Sequence, residues 1–456
     1  MGTQLRHIDV LNLEWTAYPS RDRQMATLVC NYLRHIGFKV FEGSVFNGYY
    51  LINKLKPKVF FITNTVGADI NCQLVKYAKN KEIPCATLIS EGNFKDTEKF
   101  MDEFVWGWNK DKILYEDLHM QWSERSRNLT IKFFPELKTR IKVSGAVGFD
   151  VYKIKQPMNH TKFSNKYKIN KYERIVGVGC YDFGPFQSSD HRFHICMKIF
   201  NQKELDRFNK DKYDFNKCIK EVILLNKDIL FLLKEHPGSM GGHQASGIDG
   251  VKGIPNVLIL KNEESIGDCI SVSDFWLVYE STTSLEAWLL SKQTCLLNPS
   301  GTDFKRDNTH QGSPNFPDTA SLHEAIQSFY QSGEIPGFLN LKSNRDRIIQ
   351  ETIQWDDGFN HVRAGNEIID LIINEEKPKR QPISRGYKKE IFKQTIQWYL
   401  SPYLSFLKKF EFYADRRKAF DKEELRDFQE KCMTEQIAFY EKNNLTKDDL
   451  RMIRCI

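Results

Sequence analysis

Ten cysteines are spread along the 456-residue chain (30, 72, 85, 180, 196, 218, 269, 295, 432 and 455) without a single Cys-x-x-Cys pair. That spacing excludes the common zinc motifs and a closely knit disulfide framework, and since most of the cysteines lie in apolar segments they read as reduced thiols in or near a core. No run reaches the roughly 18 to 20 apolar residues that a membrane-spanning helix needs, and Met1-Gly-Thr-Gln-Leu-Arg-His-Ile8 carries no apolar signal region, so cytoplasmic residence is expected. Gly177 and Gly179 begin a glycine pattern that no third glycine completes at a helix start, which excludes a dinucleotide fingerprint. Tyr279-Glu-Ser-Thr-Thr283 is not the Gly-x-Ser-x-Gly elbow of a serine hydrolase. Asp-x-Asp, a common metal-holding pair, sits at no strand end.

What is present is the mixture of a globular protein, 41% apolar and 27% charged, long enough for two ordinary domains. Packing should lean on aromatic rings, with 32 Phe and 18 Tyr. The net charge of +7 is confined to the end of the chain: residues 377–456 hold 19 Lys and Arg against 12 Asp and Glu, and residues 377–418 hold 12 against 3. A nucleic-acid partner for the whole protein is therefore not expected.

The first 150 residues alternate short apolar runs with helical spacing. Ile8–Leu13, Lys39–Phe41, Val59–Ile62, Cys85–Ile89 and Ile141–Val143 read as strands, while Met25–Ile36, stopped by Gly37, and Asp69–Lys79 read as helices. That alternation predicts a parallel α/β sheet. Leu88-Ile-Ser-Glu-Gly-Asn93 ends a strand in Ser90, Glu91 and Gly92, at the edge where parallel sheets keep their chemistry. Glu91 there either caps or salt-bridges the loop, or acts as a general base for a hydroxyl, and Gly92 allows a tight turn or close approach. Phe104-Val-Trp-Gly-Trp108 reads as core tryptophans flanking a strand rather than a stacking platform, and Tyr115–Thr130 reads as a helix. Residues 151–171, polar and basic, read as a linker.

A second α/β unit is expected over residues 172–376. Its first strand, in Glu173–Cys180, opens into the loop Tyr181–Pro185, which Gly177 and Gly179 bring close to an interdomain cleft, and Ser188–Leu225 reads as helical. Phe231-Leu-Leu-Lys-Glu-His236-Pro237 and Phe275-Trp-Leu-Val-Tyr-Glu-Ser281-Thr282-Thr283 are apolar runs that break into polar residues, the pattern of strands ending at a shared ligand crevice. Pro237 ends the ladder and projects His236. Ser281, Thr282 or Thr283 would cap the helix that follows, whose free N–H groups suit a phosphate, and Glu286 on that helix could meet sugar hydroxyls or simply sit near a favourable helix start. Trp355–Phe359 and Ala364–Ile373 are expected to close this unit. The last part, 377–456, is a basic, mainly helical tail. Tyr387–Leu407 mixes lysines with Ile391, Phe392, Ile396, Trp398, Tyr399 and Leu400, as an interfacial segment does, although a solvated or partner-docking helix has the same composition.

Ser90-Glu-Gly92, His236-Pro237 and Ser281-Thr282, in that order, resemble the acidic-Gly, His-Pro and Ser-Thr motifs of the polysialyltransferase, capsule Kdo-transferase and glycerophosphate-transferase assemblage. Phe104–Trp108 with Val143-Ser-Gly145-Ala-Val-Gly-Phe-Asp150 is also similar to surface-carbohydrate biosynthesis proteins, though Gly-Asn-Pro and Arg-Phe-Asp are replaced here. The resemblance covers about residues 8–370. It implies a GT-B-like fold of two Rossmann-like domains facing a central cleft, and an inverting glycosyltransferase of bacterial surface polysaccharide. Glu91 would activate the acceptor, His236 would meet the donor phosphate, Ser281 and Thr282 would hold its oxygens, and Ser90, Gly92, Gly145 and Gly179 would line cleft loops. The donor would be CMP- or CDP-linked, with no metal or other cofactor, and the acceptor a glycan or lipid-linked glycan met at the inner membrane face through residues 377–418. Nucleotide-sugar epimerisation, glycerophosphate-type transfer and non-catalytic glycan binding are the alternatives.

Overall fold

The computed structural model describes residues 8–455 apart from 16, 18–19, 66–67, 108, 184–200, 237–246, 262, 304–307, 374–384, 408–414 and 416–417. The chain forms two compact units: residues 1–155 with 350–456, and residues 156–349.

The first unit is built on β1 (Val10–Glu14), β2 (Val40–Ser44), β3 (Val59–Thr63), β4 (Cys85–Leu88), β5 (Leu118–Gln121) and β6 (Ile141–Val143), joined in the order β2-β1-β3-β4-β5-β6. Every pairing is parallel. Residues alternate between the two faces: Val10, Val59 and Phe61 enter one core, and Leu11, Phe60 and Ile62 the other. Both faces are covered, which is why the strands read as continuous apolar runs rather than alternating ones. One layer carries α1 (Arg21–His35), the other α2 (Gly48–Leu55) and α3 (Asp69–Asn80). Ser20 caps α1 by accepting the Arg23 N–H at 3.2 Å, and Gly37, at φ +106°, follows its end.

Two expectations fail locally. Residues 98–106 form a helix, α4 (Glu98–Trp106), ended by Gly107 at φ +46°, so Trp106 flanks no strand, although it is buried as expected; Trp108 lies outside the described residues. The stretch 115–130 is not one helix but β5 followed by α5 (Glu124–Phe133), because Ser123 starts a capping box with Ser126 that splits the polar run.

The second unit carries β7 (Ile175–Gly179), β8 (Leu230–Lys234), β9 (Val257–Leu260), β10 (Phe275–Val278), β11 (Gln293–Leu297) and β12 (Asn315–Phe316) in the order β12-β11-β10-β7-β8-β9, again all parallel. This is the doubly wound Rossmann order, with its reversal between β7 and β10. The helices of the unit are α7 (His160–Tyr167), α8 (Gln202–Leu225), α9 (Ile266–Val272), α10 (Thr283–Leu289), α11 (Thr319–Ser332) and most of α12 (Lys342–Ile353), whose last residues pass into the first unit, α6 being the short Val151–Ile154 turn of the first unit. Residues 151–171 are thus not a bare linker: α7 drives Phe163 into the second core, fully buried. Residues 188–200 of the expected helical stretch lie outside the described residues.

The main departure concerns the C-terminal quarter. Residues from 350 onward belong to the first unit, not to a closing part of the second or a separate tail. The cause is packing on α1. In α13 (Asn360–Ile373), Gly365 is required because a Cβ there would stand 2.4 Å from the Tyr32 ring, and the Tyr32 hydroxyl donates to Asn366 Oδ1 at 2.6 Å. Gln436 of α15 (Glu423–Lys442) donates to the Leu28 carbonyl at 2.9 Å, and Asn366 reaches the carbonyls of Leu450 in α16 (Lys447–Met452) and Ile453. Asp150, which ends the first stretch of the unit, accepts from Asn360 Nδ2 and the His361 N–H and pairs with His361 Nδ1 at 2.8 Å, while His361 Nε2 meets the Tyr440 hydroxyl at 2.6 Å. Between α13 and α15 lies α14 (Arg385–Leu400), set against α2.

Candidate functional site

In the first unit the strand order reverses between β1 and β3, so the ligand-binding edge expected of an open parallel sheet lies beyond Glu14 and Thr63. Glu14 is buried there. Its carboxyl accepts the Thr63 N–H at 3.2 Å, the Thr63 hydroxyl at 2.5 Å and Asn12 Nδ2 at 2.9 Å. Those bonds favour the carboxylate, but burial outweighs them and, helped by the charge of Asp22, pushes the group up to about 8. Asp22, in the first turn of α1, is the centre of the cluster. Burial and then the charge of Glu91 raise its pKa, against hydrogen bonds from the Ser90 and Asn64 side chains and the charge of Arg21. Asn64 follows β3 at φ +49°, a conformation Asn tolerates, and its N–H is tied to the Leu88 carbonyl at 2.8 Å.

The sequence singled out Ser90 and Glu91, and both stand at this edge, Ser90 buried and Glu91 exposed. It missed Glu14 and Asp22. Glu14 lies just past the apolar run Ile8–Leu13, and Asp22 just before the helical spacing that begins at Met25, so the cap residue Ser20, two residues before Asp22, is the one signal that the sequence offers there. Gly92 lies against an indole. A Cβ there would stand 2.4 Å from Trp122 Cγ, so the close neighbour is the indole, whose Nε1 donates to the Ile89 carbonyl at 2.9 Å and so pins the loop that carries Glu91. Gly145 is likewise structural: it sits at φ +83° with Asn360 Oδ1 1.9 Å from where a Cβ would be.

In the second unit, Gly179 ends β7 beside Val278 of β10, at the point of strand reversal. A Cβ on Gly179 would come within 3.1 Å of the Thr283 hydroxyl and 3.0 Å of Trp276 Nε1, and one on Gly177 within 2.3 Å of the Trp276 ring. The pair of glycines thus makes room for Trp276, which donates to Thr283 Oγ1 at 3.0 Å. Ser281 accepts the Thr283 N–H at 3.1 Å, and the amides of Ser284 and Leu285 turn back to the carbonyls of Ser281 and Thr282. Thr282, at the N-cap, makes no side-chain capping bond. Capping by Ser281 therefore occurs as expected, but it uses amides the phosphate was to receive, and hydroxyls are the groups left at this edge. Glu286, on the helix that follows, is buried. His236 is exposed after β8, with Nδ1 3.9 Å from Asp182 Oδ2 in the loop after β7, an acidic neighbour the sequence did not single out; Pro237 lies outside the described residues.

Behind these loops, Asp211 of α8 is buried and accepts from the Thr302 hydroxyl at 2.8 Å and the Tyr279 hydroxyl at 3.3 Å. The Tyr279 ring packs against Tyr181 and Phe183 at 5.1 and 5.0 Å. Loops after β7, β10 and β11 are thereby fixed to one helix. Among the described residues, no group of three or more His, Cys, Asp or Glu is placed to hold a metal ion, and no helix is long and apolar enough to cross a membrane.

No family model and no curated protein matches the sequence. Solved structures match the fold. A protein of Listeria monocytogenes assigned as a UDP-N-acetylglucosamine 2-epimerase aligns with a TM-score of 0.52 at 11% identity, over 83% of this chain and 100% of its own. MnaA of S. aureus, solved with UDP, aligns at 0.51 and 12% over 82% and 100%, and a further UDP-N-acetylglucosamine 2-epimerase at 0.51 and 12% over 83% and 99%. At these identities the likeness is one of architecture: the chain has a GT-B-like fold of two Rossmann-like units with a helical C-terminal region.

Proposed function

We propose that this protein is an enzyme that acts on a nucleotide-activated sugar by acid–base chemistry. The observation that carries the reading is the set of carboxyl groups at the switch edge of the first sheet, where Glu14 is held neutral near pH 7 while Asp22 and Glu91 stand together at the loop ends. A carboxyl that burial keeps protonated can donate a proton, and a carboxylate beside it can take one up. The second unit would hold the nucleotide, with Ser281, Thr282 and Thr283 offering hydroxyls and His236 a ring N–H to the phosphates.

Within that reading, isomerisation of the sugar comes first. It moves a proton off and back onto the substrate and so uses more than one acid–base group, and the GT-B-like neighbours solved include UDP-N-acetylglucosamine 2-epimerases. Transfer of the sugar to a surface-polysaccharide acceptor is the second reading, favoured by the order of Ser90-Glu91-Gly92, His236-Pro237 and Ser281-Thr282 along the chain. It needs one base, and Glu91 would fill that role. Incubation with UDP-, GDP-, CMP- and CDP-linked sugars without acceptor separates the two. A new nucleotide-sugar isomer supports the first reading; nucleotide release that appears only when a glycan acceptor is added supports the second; the absence of both overturns the proposal.

A further inference from the structure

Seven of the sixteen large apolar side chains that are exposed among the described residues fall within residues 392–407: Phe392, Ile396, Tyr399, Leu400, Tyr403, Phe406 and Leu407. Their separations of three and four residues continue one stripe from α14 into the turns after it, where the amides of Tyr403 and Leu404 bond back to the Leu400 carbonyl. A soluble surface scatters such side chains singly, whereas a contiguous patch marks contact with something else.

The opposite side of α14 already has its partner. Ile391 packs on the apolar core that covers one face of the first sheet, and Tyr399, at the inner edge of the stripe, meets Tyr50 of α2 edge-on at 6.5 Å, so the helix is anchored to the body of the unit with the rest of the stripe turned outward. Phe392, Tyr403 and Phe406 are the most exposed of that side, at 67, 79 and 76%.

The charge beside the stripe says what would cover it. Lys388, Lys389 and Lys393 are exposed along α14, and Lys54 lies over the Tyr50 ring, 5.1 Å from its centroid, next to Tyr399. Between residues 385 and 407 the sequence has four Lys and Arg and one acidic residue, and Lys408 and Lys409 follow. Aromatic and aliphatic side chains rimmed by lysines match the boundary of an anionic bilayer, with rings at the headgroup level and ammonium groups on the phosphates. A second copy of the same patch would bring these lysines together and repel.

We infer that residues 385–407, held on α2, form a docking face for an anionic lipid surface, so that the protein works as a peripheral membrane protein. This stands apart from the proposed chemistry, because the face and the carboxyl cluster share no residue and the test uses no substrate.

The experiment is sedimentation of the full chain with vesicles of phosphatidylcholine alone and of phosphatidylcholine with phosphatidylglycerol. Binding is expected only to the anionic vesicles and should weaken steeply with salt. F392S/Y403S/F406S should bind roughly 10-fold or more weakly, and K388E/K389E roughly fivefold more weakly per charge. All five positions are exposed, so circular dichroism should show an unchanged fold. Equal binding to both vesicle types, undiminished binding by both variants, or no binding together with concentration-dependent self-association through the same residues would each overturn the inference.

Discussion

Replacing Glu14 by Gln tests whether a neutral carboxyl stands at the switch edge of the first sheet. In the fold burial outweighs its hydrogen bonds and pushes this carboxyl from its ordinary 4.5 up to about 8. Between those two values the unfolded chain has released the proton and the folded chain has kept it. The unfolded state then binds fewer protons, so stability falls as pH rises, by about 1.4 kcal/mol per unit, and levels off above the folded value. Over the whole window the loss is on the order of 5 kcal/mol. Gln keeps the shape and the acceptor for Thr63 N–H and carries no such slope. Hydrogen exchange of the peptides containing β1 and β3, compared between wild type and Glu14→Gln at equal pH, reads the difference where it arises and cancels the intrinsic exchange rate. The variant should gain protection relative to wild type by close to tenfold per pH unit from about pH 5 to pH 8. A protection ratio that stays constant over that range would mean that Glu14 is ionised in the fold, and the acid–base assignment would lose its neutral member.

Three further outcomes follow from the geometry. Glu91→Gln removes a charge that raises the pKa of Asp22, so the acidic limb of the kcat/KM profile should move to lower pH, while Asp22→Asn should reduce turnover by roughly 10² to 10⁴ and abolish that limb; an unmoved limb with full Asp22→Asn turnover would remove both residues from the chemistry. His236→Ala should weaken nucleotide affinity by about 10-fold or more in calorimetry with CMP, CDP, UDP and GDP, as the loss of a charge-assisted contact does, and wild-type affinity for all four would place the phosphates elsewhere. Gly145→Ala should lower thermal stability by several degrees, since it sets a Cβ 1.9 Å from Asn360 Oδ1 at φ +83°, and an unchanged melting temperature would mean that the Asn360 segment can move aside freely.

Both Rossmann-like sheets were legible in the sequence because each strand buried on two faces leaves a dense apolar run, and β1, β3, β4, β8 and β10 do so. β5 was not, since Leu118-His-Met-Gln121 alternates apolar with polar residues that are nevertheless buried. The return of the C-terminal helices to α1 was hidden for another reason. Their charged faces dominate the local composition, and the residues that make the contact, Gly365, Asn366, Gln436 and Tyr440, are small or polar ones that no hydrophobic pattern marks. A chain cut after Glu376 would therefore lose part of the first core, which is why the lipid test above uses point variants. At the candidate site, loop-end residues after strong strands, Ser90, Glu91, His236 and Ser281, could be read from the break in the apolar pattern. Glu14 and Asp22 could not, because their importance comes from burial and from one another's charge, neither of which a linear pattern carries.

The most direct measurement is incubation of the full chain in D2O with a panel of nucleotide-linked sugars, followed by proton NMR. The account predicts that one of them isomerises without acceptor and gains deuterium at the reacting carbon, and that Asp22→Asn stops both. No isomerisation and no acceptor-dependent nucleotide release across the panel would contradict the central claim that this fold acts on nucleotide-activated sugars.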